Sequence, residues 1–80
     1  MKTFVVYRPN VPTTGQHAHD SNQRNAPDEP QFEGVVFSDG TTVIRWLTDK
    51  GSTSVFKSFA DMEAIHGHPE YGTRFVWTKE

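Results

Sequence analysis

Four histidines, arranged as two His-x-His pairs, are the side chains whose type and spacing could do chemistry most directly. His17 and His19 lie in a polar stretch, and His66 and His68 lie where the sequence predicts the end of a helix. Three or four imidazoles that converge on one point could hold a zinc ion. A histidine in the last helical turn can instead interact with the helix dipole and bond free carbonyl groups. This capping role accounts for His66 and His68, so a histidine metal site is only our third hypothesis, and we expect no cofactor.

Two arginines form a second candidate site. Arg45 and Arg74 each lie inside a predicted strand with inward aromatic residues, so each points to the face opposite Trp46 or Trp77 of its own strand. Two guanidinium groups on one face could bind an anionic ligand or the carboxylates of a partner; the alternative is a solvated face with surface ion pairs. Tyr71, in the turn "PEYG", is predicted to be an exposed aromatic residue of a contact surface. The candidate binding residues are therefore Arg45, Arg74, Tyr71, His66 and His68.

The sequence contains none of the common catalytic motifs. It has no cysteine, no G-x-S-x-G elbow and no glycine-rich phosphate loop, and its carboxylates are spread along the chain. We therefore expect a protein that is not an enzyme. Eight Lys and Arg residues against ten Asp and Glu give a net charge of -2 without a basic stripe, so we do not expect nucleic-acid binding. With no long apolar run and no signal-peptide pattern, we expect no membrane association and a cytoplasmic location, the host cytoplasm if a phage encodes the chain.

Five strands and one helix are predicted to position these side chains. The β-branched and aromatic run 2–8 indicates a first strand, and the proline-rich stretch 9–31 indicates a long mobile loop. Asp39-Gly40 between two apolar runs predicts a two-residue type I′ turn that places Val36 opposite Val43. A third strand of this meander follows at about 53–57. Ser58 is then a predicted N-cap, Gly67 a predicted left-handed helix stop, and 73–77 a last strand.

The fold class that follows is mostly β with one short helix, in a single domain over residues 1–80. Both sides of the predicted hairpin carry apolar residues, which a flat sheet with one wet face would not need. We therefore expect a small five-stranded curled sheet or SH3-like barrel, in the order β-long loop-β-β-β-α-β, with Trp77 sealed inside. An open α+β roll is the alternative.

From Phe32 to Trp77 the chain resembles a family of small uncharacterised proteins of actinobacteria, some archaea and actinobacterial phages. The resemblance is carried by "EGVVFSDGTTVIRWL", "STSVFKS", "ADMEAIHGH" and "TRFVW", and above all by the pattern F-S-D-G-T, R-W-L, I-H-G-H and T-R-x-V-W. It implies a phage or actinobacterial cytosolic origin and no particular activity. The loop after the first strand departs from the family pattern, so the resemblance implies no role for His17 or His19.

These observations together predict a non-enzymatic small binding module, encoded by a phage, that docks on a host protein or associates with itself. The predicted docking surface is the sheet face of Arg45 and Arg74 together with the turn of Tyr71. The alternative is an oligomeric protein that sequesters a small anionic ligand, such as a nucleotide signal, between its protomers. A small chain with few apolar residues gains stability from self-association, which favours an oligomer in both cases.

Overall fold

The structure is a computed structural model that describes residues 1–10, 25–26, 28–48 and 51–78. In these residues the fold has five strands, one α-helix and one short 3-10 helix. The elements are β1 (Lys2–Tyr7), β2 (Phe32–Val36), β3 (Thr42–Trp46), β4 (Thr53–Phe56), α1 (Phe59–His66), the 3-10 helix (Pro69–Tyr71) and β5 (Arg74–Thr78). The predicted class, mostly β with one short helix, is confirmed. No helix among the described residues is long and apolar enough to cross a membrane.

The strands form one antiparallel sheet in the order β4-β3-β2-β1-β5. The β2-β3-β4 meander is local in sequence, whereas β1 lies between β2 and β5 and so joins the two ends of the chain. Among the described strands, the edge strands β4 and β5 do not pair with each other. The sheet is therefore curled but open, which is the first of the two predicted forms rather than a closed barrel.

The turn between β2 and β3 differs from the predicted type I′ turn by one residue. Gly40 has a φ of 95°, while Asp39 does not have a positive φ. The Gly40 amide donates to the Phe37 carbonyl and the Phe37 amide to the Thr41 carbonyl, at 2.9 and 2.8 Å. This is a three-residue loop with a glycine in the bulge position.

The longer loop changes the register of the hairpin. Val35 pairs with Val43, and Val36 pairs with Thr42, so the predicted pairing of Val36 with Val43 is wrong. A shift of one residue exchanges the faces of one strand relative to its neighbour. Val35 and Val43 therefore lie on the same side of the sheet as Arg45.

The helix packs on one side of the sheet, which we call the inner face. The buried core there consists of Phe4, Val6, Phe32, Ile44 and Met62. Phe4 lies across Gly34 of the neighbouring strand, where a Cβ would sit 2.8 Å from Cε1 of the Phe4 ring. Glycine at position 34 is therefore required by the close approach of this ring. Phe59 at the start of α1 packs edge-on against Phe4 at 5.5 Å and fixes the helix above β1.

The predicted start of the helix is confirmed, and its predicted end is wrong in detail. Ser58 caps the helix by accepting a hydrogen bond from the Asp61 amide at 3.1 Å. Gly67 is right-handed, with φ -68° and ψ -36°, and its amide continues the helical bonding to the Glu63 carbonyl. A Cβ on Gly67 would overlap with that carbonyl oxygen. The glycine is needed for this close approach, and the positive φ falls on His68 instead.

Trp77 is not sealed inside, contrary to prediction. Its ring packs on Phe4 and Phe59 at 5.2 and 5.1 Å on the inner face, but 48% of the residue is exposed. The reason is that β5 is an edge strand of an open sheet, so nothing in the described residues covers its far side. Most of the loop predicted over 9–31 lies outside the described residues. Its returning end is held by Asn25, whose side-chain amide donates to the Pro30 and Leu47 carbonyls.

Candidate functional site: the outer sheet face

The side of the sheet away from the helix is the strongest candidate site, and we call it the outer face. Strand alternation and the observed register put every second residue of each strand on it. Its members are Thr3, Val5, Tyr7, Glu33, Val35, Val43, Arg45, Thr53, Val55, Arg74, Val76 and Thr78. Among the described residues, the helix and the 3-10 helix pack on the inner face, so the outer face is left to solvent.

Valines make the outer face apolar. Val55, Val43 and Val35 lie side by side across β4, β3 and β2, and Val5 and Val76 lie side by side across β1 and β5. Val55 is 68% exposed, although valine favours burial. Five valines in two cross-strand rows form a contiguous apolar surface, a feature that marks interaction sites on small proteins.

A groove of about 420 Å³ lies at the centre of the outer face. It crosses the three central strands over Gly34 and has mostly apolar walls with a few polar groups. The side chains on the outer face that line it are Thr3, Val5, Glu33, Val35, Val43, Arg45 and Thr78. A volume of this order falls within the range of ligand and peptide pockets, about 300–1,000 Å³. The combination of apolar walls with a few oriented polar groups is also typical of binding sites.

The structure places Arg45 and Arg74 on the outer face, as their strand positions predict, but does not bring them together. Arg45 lies opposite Glu33 of β2. Arg74 lies over the ring of Tyr7, with its guanidinium carbon 4.9 Å from the ring centre. The two arginines stand three strands apart, which is at least about 14 Å at the usual strand spacing. They cannot clamp one small anion within a single chain, although both can contact one large partner.

Tyr71 is not an exposed contact residue, and that prediction is wrong. The residue is only 6% exposed. Its ring stacks on His68, with ring centres 4.6 Å apart and an interplanar angle of 16°, and its carbonyl accepts the Asn10 amide at 2.9 Å. The 3-10 helix thus folds back against the chain leaving β1. This contact joins segments some 60 residues apart, which the local pattern "PEYG" does not reveal.

Among the described residues, the most unusual polar side chain is that of Arg8, which the sequence analysis did not single out. It is 8% exposed, and its guanidinium lies 5.1, 5.3 and 5.4 Å from the ring centres of Phe32, Trp46 and Tyr71. It donates to the His66 carbonyl at the end of α1, while its Nε has no hydrogen-bond partner among the described residues. Arg8 directly follows β1 and continues the alternation of Phe4 and Val6, and this alternation is the signal that could have placed it on the inner face.

Burial sets the charge state of Arg8. Removal from solvent lowers the pKa of its guanidinium to about 10, opposed by the phenol of Tyr71 and by the Glu70 carboxylate. The group therefore remains a cation at neutral pH. Three aromatic faces stabilise such a cation, and its bond to a helix carbonyl offsets the negative end of the helix dipole. Arg8 thus performs the capping role that the sequence suggested for a histidine.

His66 and His68 lie on the inner side, beside Arg8, and not on the outer face. The His66 ring packs edge-on against Trp46 and Phe56 at 5.3 and 5.6 Å. Burial, followed by the positive charges of Arg8 and His68, lowers the pKa of His66. Neutral imidazole is thereby favoured, so His66 does not cap the helix as an imidazolium. His68 instead contacts Glu70, with Nδ1 3.1 Å from Oε2, and stacks on Tyr71.

A histidine metal site has no counterpart in the part of the chain that the structure describes. No group of three or more His, Cys, Asp or Glu side chains there could hold a metal ion. His17 and His19 lie outside the described residues.

Comparison with family models gives one result that bears on identity. A model described as "Acb5 phage protein" matches residues 32–79, which is more than half of the chain and includes β2 to β5. Comparison with curated proteins and with solved structures gives no match. The matched segment contains most of the outer face and all of the helix. The chain belongs to the Acb5 phage protein family.

Proposed function

We propose that this phage protein is a non-enzymatic binding module that docks on a host protein through its outer face. The observation that carries the proposal is the uncovered valine surface, with Val55 68% exposed and a groove of about 420 Å³ at its centre. A chain of 80 residues has few apolar side chains to spare for the surface. Five valines placed outside the core therefore support a role in binding.

The arrangement suggests how a partner is held. Fully burying an exposed valine contributes up to about 1.5–3 kcal/mol, so Val55 gains most on binding, while the other four valines, which are already half-buried, add a smaller apolar contribution. Glu33 and Arg45, opposite each other beside the groove, orient the partner by charge, and Arg74 on Tyr7 contributes a cation at the rim. The partner that fits is a protein with an apolar segment flanked by charges of both signs.

The experiment compares capture of host proteins by outer-face variants and a matched control. The variants are Val55→Glu and Arg45→Glu, both at exposed positions, and the control is Ile65→Glu on the exposed side of α1, where Ile65 is 58% exposed. Cross-linking in phage-infected cells, read by mass spectrometry, identifies the partner; the sequence resemblance makes an actinobacterial host the first choice. We expect wild type and Ile65→Glu to capture the same protein and both outer-face variants to lose at least tenfold. Equal capture by all four chains, or none by wild type, contradicts the proposal.

A second candidate function is sequestration of a small anionic ligand, such as a nucleotide signal. The observation that favours it is the groove itself, because Arg45 and the Thr3 and Thr78 hydroxyl groups lie among its apolar walls. The distance between Arg45 and Arg74 means that the second cation must come from another protomer. Thermal unfolding with a panel of nucleotides tests this function, since a ligand at 100 times its dissociation constant adds about 2.7 kcal/mol. A shift that Arg45→Gln abolishes supports sequestration, and no shift with any nucleotide contradicts it.

A further inference from the structure

The edge of β5 that faces away from β1 is available for pairing with another strand. In the part of the chain that the structure describes, β5 pairs only with β1, so its other edge presents unpaired backbone groups. Natural proteins usually protect such an edge with charges, prolines or very short strands. The opposite edge strand, β4, has four residues and is followed by Lys57. β5 has five residues, with its charge, Arg74, only at its start, and it carries a half-exposed tryptophan at position 77.

The hydrogen-bond pattern of the sheet shows which groups of β5 point outward. The Leu47 amide donates to the Gln31 carbonyl, so the odd-numbered residues of β2 bond β3 and its even-numbered residues bond β1. The even-numbered residues of β1 therefore bond β2, and its odd-numbered residues bond β5. On β5 the residues that bond β1 are Thr78, Val76 and Arg74, which lie opposite Thr3, Val5 and Tyr7. The N–H and C=O groups that face away from the sheet are therefore those of Phe75 and Trp77.

We propose that two copies of the chain pair antiparallel through β5, about a twofold axis at Val76. This register puts Phe75 of each copy directly opposite Trp77 of the other, so the outward N–H and C=O groups of both residues bond across the axis. The two aromatic side chains also meet on the inner face, where cross-strand aromatic pairs are favourable. Arg74 falls opposite Thr78, so no like charges oppose each other. The segment is self-complementary, as a twofold interface requires.

The paired molecule has a continuous sheet of ten strands. Trp77, which already packs on Phe59 and Phe4 within its own chain, gains the Phe75 ring of the other copy on its exposed side. On the outer face, Val76 meets Val76 of the second copy, so the two valine surfaces join across the axis. The pair thus presents two outer faces on one side. This inference does not depend on what the outer face binds.

Light scattering after size exclusion tests the pairing. We expect a mass of twice the 9.1 kDa of the chain at micromolar concentration. Trp77→Lys places a charge on the open edge and should give a monomer, whereas Ile65→Lys, a matched change at an exposed site on α1, should leave the dimer intact. Val55→Glu should also remain dimeric, which separates this inference from binding by the outer face. A wild-type chain that stays monomeric overturns the proposal.

Amide hydrogen exchange decides the case if Trp77→Lys does not fold. In the wild-type chain the Phe75 and Trp77 amides should exchange rapidly at high dilution and become protected as the dimer forms. The Val76 and Thr78 amides, bonded to β1, should be protected at every concentration. A dimer in which Phe75 and Trp77 still exchange rapidly associates through another surface and contradicts the β5 pairing.

Discussion

At the scale of single residues, Arg8 stabilises the end of the molecule where β1, the helix and the 3-10 helix meet. Its guanidinium stacks on three rings and bonds the last carbonyl of α1. Removing the side chain leaves that carbonyl without its partner and opens a gap among the aromatic rings. Each of these losses has a known order of magnitude, so the contribution of Arg8 to stability can be tested.

We expect Arg8→Ala to lower the free energy of unfolding by about 2–4 kcal/mol, because it removes the carbonyl bond, the cation–π contacts and the buried stem together. Urea unfolding measures the change. The matched control is Arg45→Ala on the exposed outer face, where we expect a change within about 0.5 kcal/mol. Equal effects of the two substitutions would show that the buried cluster contributes no more than a surface arginine.

His66 makes stability depend on pH, with a sign that follows from its lowered pKa. Well above its usual pKa of 6.5, the ring is neutral in both the folded and the unfolded chain. Below pH 6.5 the unfolded chain binds a proton before the folded chain does, so the free energy of unfolding falls as the pH drops toward the folded pKa. The pKa of the exposed Glu70 is also lowered, mainly by backbone hydrogen bonding, but its effect begins only below its usual 4.5.

We therefore expect stability measured by urea unfolding to decrease between pH 7 and pH 5 in the wild-type chain. His66→Gln should reduce this slope, because it removes the titrating ring while keeping a polar side chain of similar length. His68→Gln should retain a falling slope. If the wild-type free energy of unfolding stays constant or increases as the pH is lowered from 7 to 5, the burial of His66 against Trp46 and Phe56 is contradicted.

At the scale of elements, most strands and the helix were predictable because their signals are local. The alternation in β1 and β5, the Ser58 cap and the position of the β2-β3 turn all depend on neighbouring residues. The register of that turn was not predictable, since Asp39-Gly40 suits both a two-residue and a three-residue loop. The burial of Tyr71 and Arg8 also escaped the sequence reading, because it arises from contacts between distant segments.

The close approach of β1 and β2 gives a prediction for the sheet. Gly34→Ala adds a methyl group where the Phe4 ring lies, so we expect a loss of about 1–3 kcal/mol in the free energy of unfolding. Phe4→Leu also destabilises the core, but the smaller side chain leaves room for the new methyl group. The double variant should therefore lose less than the sum of the two single losses. Additive losses in urea unfolding would show that Phe4 does not lie across Gly34.

At the scale of the whole molecule, an open sheet of which the described elements cover one face explains why apolar residues occur on both sides of the hairpin. The sequence predicts a curled sheet on the ground that both sides of the hairpin are covered; the curled sheet is confirmed, but that ground is wrong, since Val55 on the second side is 68% exposed. The inner set forms the core with α1, whereas Val35, Val43 and Val55 form a surface of their own. Sequence alone does not separate these two outcomes, because an apolar residue has the same identity in a core and at a binding surface.

The central claim is that the outer face is open to solvent in the free protein. Methyl NMR with a soluble paramagnetic agent tests it directly on the full chain, because the agent broadens only the methyl groups that it can approach. We predict strong broadening for Val35, Val43 and Val55 and little for Val6 and Ile44 of the core. Outer-face valines as protected as Val6 would show that this face is covered, and would leave the proposed binding module without its binding surface.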